Sequence, residues 1–215
     1  MYKPKDIVAG DFYWMENIDD SIFIAAADST GHGVPGAMVS VVCSNALNRS
    51  IFEFGLRDTG RILDKCRELV LETFSKSSSE VKDGMDISLL CLRKNKSEIT
   101  WSGANNPLWY VQNNELKIIT ADKQAIGQTD KPSPFKTHCV EFIPNTVFYL
   151  ITDGFPDQFG GPNGKKNKHK QLQEFLFSIS DKEMSWQQQK LNDAFNDWRG
   201  NLLQVDDVCI VGVRI

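Results

Sequence analysis

Four aspartates stand next to apolar runs that have the composition of β-strands. Two of them follow such a run and two precede one, and the four are Asp11, Asp28, Asp153 and Asp206. A carboxylate at the end of a buried strand is costly to dehydrate unless it finds a hydrogen bond, a counter-charge or a metal ion. Each aspartate alone is also typical of an ordinary turn. The repetition of the pattern is what indicates a shared site.

If the fold gathers these strand ends, several carboxylates share a small volume and cannot all stay ionised without compensation. Divalent cations provide that compensation. Oxygen-only ligands select Mg²⁺ or Mn²⁺ over zinc, and the three histidines, His32, His138 and His169, stand in unrelated contexts. Two such ions can activate water and hold the attacking and leaving oxygens of a phosphoryl transfer. The pattern therefore predicts hard-metal chemistry on a phosphate ester.

The elements that must position these residues can be predicted from periodicity and turn residues. Strands are expected at 12–15, 22–27, 87–93, 99–102, 108–112, 116–120, 135–142, 147–152 and 208–215, and helices at 37–54, 59–76, 172–178 and 185–198, with a polar connection over 75–84. Consecutive hairpins imply antiparallel pairing. Because the helices fall into two blocks, the pattern predicts an α+β layered sandwich.

Composition places further limits on the function. The 215 residues carry 24 Lys+Arg and 28 Asp+Glu, a net charge of −4, which argues against nucleic-acid binding. No apolar run approaches the roughly 18 residues that span a bilayer, and the start lacks a signal peptide. Five cysteines form no C-x-x-C pair, which is typical of reduced thiols. We expect one soluble, cytoplasmic domain over 1–215, without direct membrane contact.

Five short motifs occur in an order that resembles the metal-dependent PPM (protein phosphatase 2C-like) serine/threonine phosphatases. They are Gly-Asp-Phe-Tyr at 10–13, Asp-Ser-Thr-Gly-His-Gly-Val-Pro at 28–35, Gly-Ala-Asn-Asn-Pro at 103–107, Thr-Asp-Gly at 152–154 and Asp-Asp-Val at 206–208. The resemblance covers essentially the whole chain. It is strongest to the bacterial branch typified by the stage II sporulation protein E phosphatase and the stress-response sigma-factor regulators.

This resemblance implies a four-layer α-β-β-α sandwich with two Mn²⁺ or Mg²⁺ ions at one end of two mostly antiparallel sheets. Asp28 resembles the carboxylate that bridges the ions, and Ser29 would lend its main-chain carbonyl, which leaves its side chain free to vary. Asp153 and Asp206 resemble ligands of one ion. Asp11 stands where the family places an acidic residue that acts on the second. Asp28, Asp153 and Asp206 are thus the expected catalytic set.

Other positions match the family less closely. Asp157 corresponds to a position associated with a weaker third ion. Lys3 and Lys5 stand where eukaryotic members carry a phosphate-binding arginine, so the residues that bind substrate are left unassigned. Asn105 replaces a histidine that is common in the branch. His32 lies in a glycine turn, where a histidine more often holds a loop than transfers a proton.

The resemblance implies an enzyme that hydrolyses phosphoserine or phosphothreonine on a signalling protein, such as an anti-sigma-factor antagonist, by direct attack of metal-activated water. It also implies a domain cut from a longer bacterial protein, with an N-terminal sensor or linker region as a partner and a homodimer left open. Two alternatives stay open: a non-catalytic module of the same fold that binds a partner or senses a signal, and, disfavoured by the acidic balance, a phosphodiesterase or nuclease. The basic run 164–170 is either a solvated loop or a flap that contacts an acidic phosphoprotein.

Overall fold

The structure is a computed structural model that describes residues 1–75, 83–94 and 98–215. In these ranges it has the following elements: β1 (Tyr2–Lys3), β2 (Phe12–Ile18), β3 (Ser21–Ser29), α1 (Gly33–Phe52), α2 (Thr59–Ser75), β4 (Met85–Arg93), β5 (Glu98–Ala104), β6 (Leu108–Gln112), β7 (Glu115–Ile119), β8 (His138–Val140), β9 (Val147–Ile151), α3 (Gly154–Asp157), β10 (Phe159–Gly160), β11 (Lys165–Lys166), α4 (His169–Ile179), α5 (Met184–Arg199) and β12 (Val208–Arg214). None of the helices in these ranges is long and apolar enough to cross a membrane.

Two five-stranded sheets form the centre of the fold, and all their named strand pairs are antiparallel. The N-terminal sheet has the order β2-β3-β4-β5-β8, and the C-terminal sheet has the order β1-β12-β9-β6-β7. Strands β10 and β11 make a separate small hairpin. Neighbouring strands in sequence mostly pair directly, whereas β1 and β12 join the two ends of the chain in one sheet.

Three clusters of buried side chains separate the layers. One lies between the N-terminal sheet and helices α1 and α2, and includes Leu47 and Ile62. A second lies between the C-terminal sheet and helices α4 and α5, and includes Phe195. The third fills the space between the sheets, with Trp101 and Phe148 fully buried. This arrangement is an α-β-β-α sandwich, and it confirms the predicted fold class.

Helix α2 shows how local sequence specifies these layers. Its apolar residues recur at three- and four-residue spacing and are buried against the N-terminal sheet, as the periodicity predicted. The Asp58 carboxylate accepts a hydrogen bond from the Arg61 amide at 2.9 Å, which satisfies a free donor at the start of the helix. Thr137 also donates to Asp58 and ties the helix start to the segment before β8.

The predicted elements differ from the observed ones in a few places. The strand predicted at 135–142 is reduced to β8, because the Phe135 amide donates to Asp64 and the Lys136 amide donates to Asp122 instead of to a neighbouring strand. Strands β1, β10 and β11 and the short helix α3 were not predicted. Of the polar connection predicted over 75–84, residues 76–82 lie outside the described residues.

Candidate metal centre

The sheet topology brings the predicted aspartates to one edge of the sandwich. Strands β9 and β12 are antiparallel with Ile151 opposite Ile210, so the end of β9 lies beside the start of β12. Asp153 and Asp206 therefore occupy the same edge. Strand β3 of the facing sheet packs against both β9 and β12. Its last residues, which include Asp28, close the same edge from the other side.

Asp11 reaches this edge through a hydrogen bond to the end of β9. Its carboxylate is buried and accepts the Thr152 hydroxyl proton at 2.6 Å. The same hydroxyl oxygen accepts the Cys209 amide at 2.9 Å, which joins the end of β9 to β12. Thr152 thus fixes Asp11 next to the segment that carries Asp153.

The carboxylates are close enough for their charges to change the ionisation of Asp28. Burial raises the pKa of Asp28 well above its usual range, and the negative charges of Asp11, Asp153, Asp206 and Asp86 raise it further. Each of these effects disfavours the ionised form of Asp28. The cluster therefore holds more negative charge than it can keep without a proton or a cation.

Asp11 is affected in the same direction. Burial raises its pKa, the hydrogen bond from Thr152 acts the other way, and the charges of Asp207, Asp206 and Asp153 raise it again. The hydrogen bond from Thr152 favours the ionised carboxylate, but burial and three neighbouring carboxylates outweigh it.

Asp153 immediately precedes the short helix α3, Asp157 ends it, and the two differ in their surroundings. Asp153 is exposed, yet desolvation of its carboxyl raises its pKa, with further contributions from Asp206 and Asp157. Asp157 accepts a hydrogen bond from the Lys166 ammonium at 2.7 Å. Its charge is therefore already balanced by a lysine, and its role as a ligand of a third ion stays a prediction.

The two adjacent aspartates before β12 have different environments. Asp207 is fully buried, and its carboxylate accepts the Lys5 amide and the Gly10 amide, each at 2.7 Å. These bonds fix the segment that leads into Asp11. Asp206 is half-buried, and its charge acts on Asp11. The structure thus assigns Asp207 to holding the backbone and places Asp206 at the carboxylate cluster.

The side chain of Ser29 is more constrained than the sequence predicted. It is buried, and its hydroxyl lies 2.7 Å from the Gly10 carbonyl oxygen and 3.1 Å from that of Gly36, to either of which it can donate. The expectation that this side chain is free to vary is therefore wrong, because a larger group would separate these backbone segments. The role of the Ser29 carbonyl as a metal ligand stays a prediction.

A close backbone contact after Asp153 leads to a first testable prediction. A Cβ at Gly154 would lie 1.8 Å from the Asp207 carbonyl oxygen, so only glycine permits the two segments to approach. We expect Gly154→Ala to destabilise the protein by about 3 kcal/mol, as overpacking does. The matched control is Gly55→Ala, where nothing lies within 4 Å and only the positive φ of 64° is strained, at roughly 1–2 kcal/mol. Urea unfolding measures both, and equal losses would contradict the prediction.

Asp86 and Asn105 belong to the site although the sequence analysis missed the first and left the second without a role. Asp86 lies directly across from Asp28 in the β3–β4 pair. Asn105 has a positive φ of 56°, and its amide donates to the Asp86 carboxylate at 2.8 Å. Asp86 precedes an apolar strand, which is the signal that singled out Asp206, so the same reasoning could have found it.

His32 and the first lysines lie outside the carboxylate cluster. The exposed ring of His32 accepts a hydrogen bond from Lys5 at Nε2, at 2.9 Å, so its Nδ1 carries the proton and donates to Asp6 at 3.0 Å. Lys3 donates to two asparagines of α5. These contacts support a loop-holding role for His32, and they fix Lys3 to α5.

The donor set fits a hard divalent cation in its chemistry. Every candidate side chain is a carboxylate, and the cluster carries excess negative charge that a cation would balance. In residues 1–75, 83–94 and 98–215, no group of three acidic, histidine or cysteine side chains is arranged so that it could hold a metal ion. The carboxylates are therefore gathered at one edge without forming a complete metal site.

Comparison with known structures defines the class of protein. The SiaA-PP2C domain of Pseudomonas aeruginosa is similar with a TM-score of 0.91 and 27% identity, over 100% of this chain and 84% of that one. The PP2C phosphatase domain of SpoIIE from Bacillus subtilis matches with a TM-score of 0.78 and 17% identity, over 100% of this chain and 61% of that one. The RsbU and RsbW domains of a Mycobacterium tuberculosis protein match with a TM-score of 0.75 and 16% identity, over 99% of this chain and 58% of that one. The fold is that of a PP2C-type phosphatase domain.

The family follows from the sequence itself. The Stage II sporulation protein E (SpoIIE) family matches residues 18–215, so the chain belongs to that family. The match includes Asp28, Asp153 and Asp206, whereas Asp11 lies before it. A comparison with curated proteins gave no match. The chain spans less than two thirds of the B. subtilis and M. tuberculosis chains that it resembles.

Proposed function

We propose that this protein is a metal-dependent serine/threonine phosphatase that hydrolyses phosphoserine or phosphothreonine on another protein. One observation carries the proposal: carboxylates from distant parts of a SpoIIE-family chain lie at one edge of the fold, where burial and mutual repulsion disfavour their ionised forms. A site of this kind is expected to bind hard cations, and hard cations are suited to phosphate esters.

The proposed roles are those that the family resemblance assigns. Asp28, on which the charges of both Asp11 and Asp153 act, would contact both ions, with the Ser29 carbonyl beside it. Asp153 and Asp206 would hold one ion and Asp11 the other, while Asp157 would contribute to a weaker third site. Two such ions, when bound, supply an acidified water and neutralise charge on the phosphate. Asp28, Asp153 and Asp206 would form the catalytic set.

Other residues would keep these ligands in position. The Thr152 hydroxyl orients the Asp11 carboxylate, and Asp207 fixes the backbone at Lys5 and at Gly10, just before Asp11. Asn105 holds Asp86 opposite Asp28. The contacts made by Thr152 and Asp207 use buried side chains, whereas Asn105 is exposed.

The substrate would be a phosphorylated signalling protein in the bacterial cytoplasm, such as an anti-sigma-factor antagonist. The support comes from relatives: one similar structure joins an RsbU domain to an RsbW domain, and another includes a fragment of a regulatory domain. A regulatory region of this kind would be a partner for the present chain. The acidic balance of the chain favours a protein substrate over nucleic acid.

Metal removal tests the proposal directly. We expect hydrolysis of a phosphoserine peptide in Mn²⁺ or Mg²⁺, loss of that activity in EDTA, and recovery when Mn²⁺ is added in excess. The measurement is phosphate release from one phosphoserine peptide at a fixed concentration. The control is a sample that is first treated with EDTA and then given excess Mn²⁺. Equal rates in EDTA and in Mn²⁺ would contradict the proposal.

The competing hypothesis is a non-catalytic module of the same fold. It is favoured by the finding that, among the described residues, the carboxylates do not already form a closed metal site. Titration calorimetry separates the two hypotheses, because the phosphatase hypothesis requires Mn²⁺ to bind with measurable heat. An absence of binding, together with an absence of phosphate release, would support the non-catalytic module.

A further inference from the structure

A groove lined by lysines lies beside helix α3 and is not used by the proposed chemistry. It has a volume of about 400 Å³ and is formed by the β10–β11 hairpin, the start of α4 and the ring of Trp198. We call it the lysine groove. Its charged lining residues are Lys165, Lys166, Lys168 and Lys170.

The charge of this groove is only partly balanced within the protein. Lys166 pairs with Asp157 at 2.7 Å, and Lys170 reaches a glutamate one turn along α4 at 3.9 Å. Within the described ranges, Lys165 and Lys168 have no ion pair. The whole chain carries a net charge of −4, so the lysine groove is a local concentration of positive charge on an acidic protein. Such a surface attracts acidic partners.

The backbone around the groove is fixed by hydrogen bonds. The Lys168 amide donates to the Pro156 carbonyl at 2.8 Å, and the Asn167 amide donates to the Gln158 carbonyl at 3.0 Å. The Trp198 indole also donates to the Gln158 carbonyl at 2.9 Å. The lysines are therefore presented from a segment that is tied to α3 and α5, which lowers the entropy lost when a partner binds.

The groove is also next to the candidate metal centre. Lys166 contacts Asp157 at the end of α3, and Asp153 immediately precedes that helix. A segment of another protein that binds in the lysine groove would therefore lie only a few residues away from the carboxylate cluster.

We propose that the lysine groove binds an acidic segment of the phosphoprotein substrate and thereby presents its phosphorylated residue to the carboxylate cluster. This proposal rests on the proposed phosphatase function and specifies the substrate feature that the groove recognises, an acidic segment near the phosphorylated residue. The lining includes the apolar surfaces of Pro162 and Trp198, which suit side chains of a peptide. The positive charge is confined to one groove, whereas nucleic-acid binding uses a basic stripe or face.

Binding can be measured without catalysis. The probe is a fluorescent peptide rich in Asp and Glu that carries no phosphate, and anisotropy is recorded in EDTA. We expect the double variant Lys165→Glu/Lys168→Glu to weaken binding roughly tenfold, since each exposed charge contact contributes a factor of about 2–5. The matched control is Lys182→Glu/Lys190→Glu, which makes the same charge change at exposed positions away from the groove and is expected to stay within about twofold of the wild type on the same grounds.

Equal weakening by the groove variant and its control would overturn the proposal, and so would an absence of binding in the wild type. A single-stranded oligonucleotide of the same charge serves as a second probe, and equally tight binding of it would overturn the choice of an acidic protein segment. If the double variant fails to fold by circular dichroism, the neutral pair Lys165→Gln/Lys168→Gln replaces it, with a smaller expected loss.

Kinetics then separate this proposal from the proposed function. Two phosphoserine peptides are compared, one with acidic flanks and one in which those residues are Gln and Asn. We expect the wild type in Mn²⁺ to favour the acidic peptide in kcat/KM, through KM, and the Lys165→Glu/Lys168→Glu variant to lose that preference. Equal hydrolysis of both peptides by the wild type would overturn the docking role alone, whereas hydrolysis of neither would overturn the proposed function.

Discussion

Replacing Asp28 by Asn is expected to abolish phosphatase activity while making the metal-free protein more stable. The variant would lose the carboxylate proposed to contact both ions, an effect of several kcal/mol on the transition state, or about 10³-fold in rate. It would also remove a half-buried acid from a cluster of like charges. Because burial and four neighbouring carboxylates raise the pKa of Asp28, keeping this group in the folded state is unfavourable at neutral pH.

The sign of the pH effect follows from the direction of this shift. A carboxyl whose pKa is raised on folding contributes stability below its unfolded pKa of about 4, and that stability declines as the pH rises towards the folded value. The metal-free wild type is therefore expected to lose stability from pH 4 to pH 8, and the Asp28→Asn variant to lose less. At pH 7 we expect the variant to be more stable by about 1–2 kcal/mol, or roughly 3–6 °C in Tm.

Differential scanning fluorimetry in EDTA and in Mn²⁺ measures both effects together with phosphate release. Mn²⁺ should raise the Tm of the wild type and leave that of Asp28→Asn nearly unchanged, since a ligand stabilises the state that binds it. The matched control is Asp197→Asn on the exposed face of α5, which should resemble the wild type in every assay. An Asp28→Asn variant that is active, or less stable without metal, would contradict this account.

The adjacent Asp206 and Asp207 are expected to respond differently to the same substitution: Asp207→Asn mainly in stability and Asp206→Asn mainly in activity. Asp207→Asn should cost about 3 kcal/mol of stability, because its carboxylate accepts two backbone amides and an Asn amino group would face one of these donors. Asp206→Asn should change the stability of the metal-free protein little, since its carboxylate accepts a hydrogen bond from the adjacent Asp207 amide, a local contact that an Asn side-chain oxygen can also accept. In activity, Asp206→Asn should show the greater loss once both variants are folded.

Urea unfolding in EDTA and phosphate release at 15 °C, where Asp207→Asn stays folded, separate the two effects. Each variant serves as the control for the other, because the chemical change and its position in the chain are nearly the same. If Asp206→Asn proved the more destabilising of the two, the assignment of Asp206 to the cluster and Asp207 to the backbone would be wrong.

The sequence was sufficient to predict those elements whose pattern is local. Helix α2 was predicted from its three- and four-residue spacing, and strand β6 was predicted with the bounds that the structure shows. Strands β1, β10 and β11 have two residues each, too few for a period to be recognised. The strand predicted at 135–142 is observed only as β8, because side chains of Asp64 and Asp122 accept the amides of Phe135 and Lys136, which is information from distant parts of the chain.

The residue types of the candidate site could be predicted from the sequence, whereas the contacts between its side chains could be predicted less well. The position of Asp11, Asp28, Asp153 and Asp206 at strand ends indicated a shared edge, and the structure places them within electrostatic reach of one another. The position of Asp86 before an apolar strand could have singled it out, but its effect on Asp28 depends on the strand register that places the two opposite each other. The difference between Asp206 and Asp207 depends on which way each side chain faces, which spacing along the chain does not specify.

The central claim is that these carboxylates together hold a pair of hard cations. The most direct measurement is anomalous scattering from a crystal of this protein soaked in Mn²⁺. The account predicts two strong peaks at the edge formed by the ends of β3 and β9 and the start of β12, with Asp28 in contact with both. Peaks elsewhere on the protein, or none at this edge at saturating Mn²⁺, would contradict it.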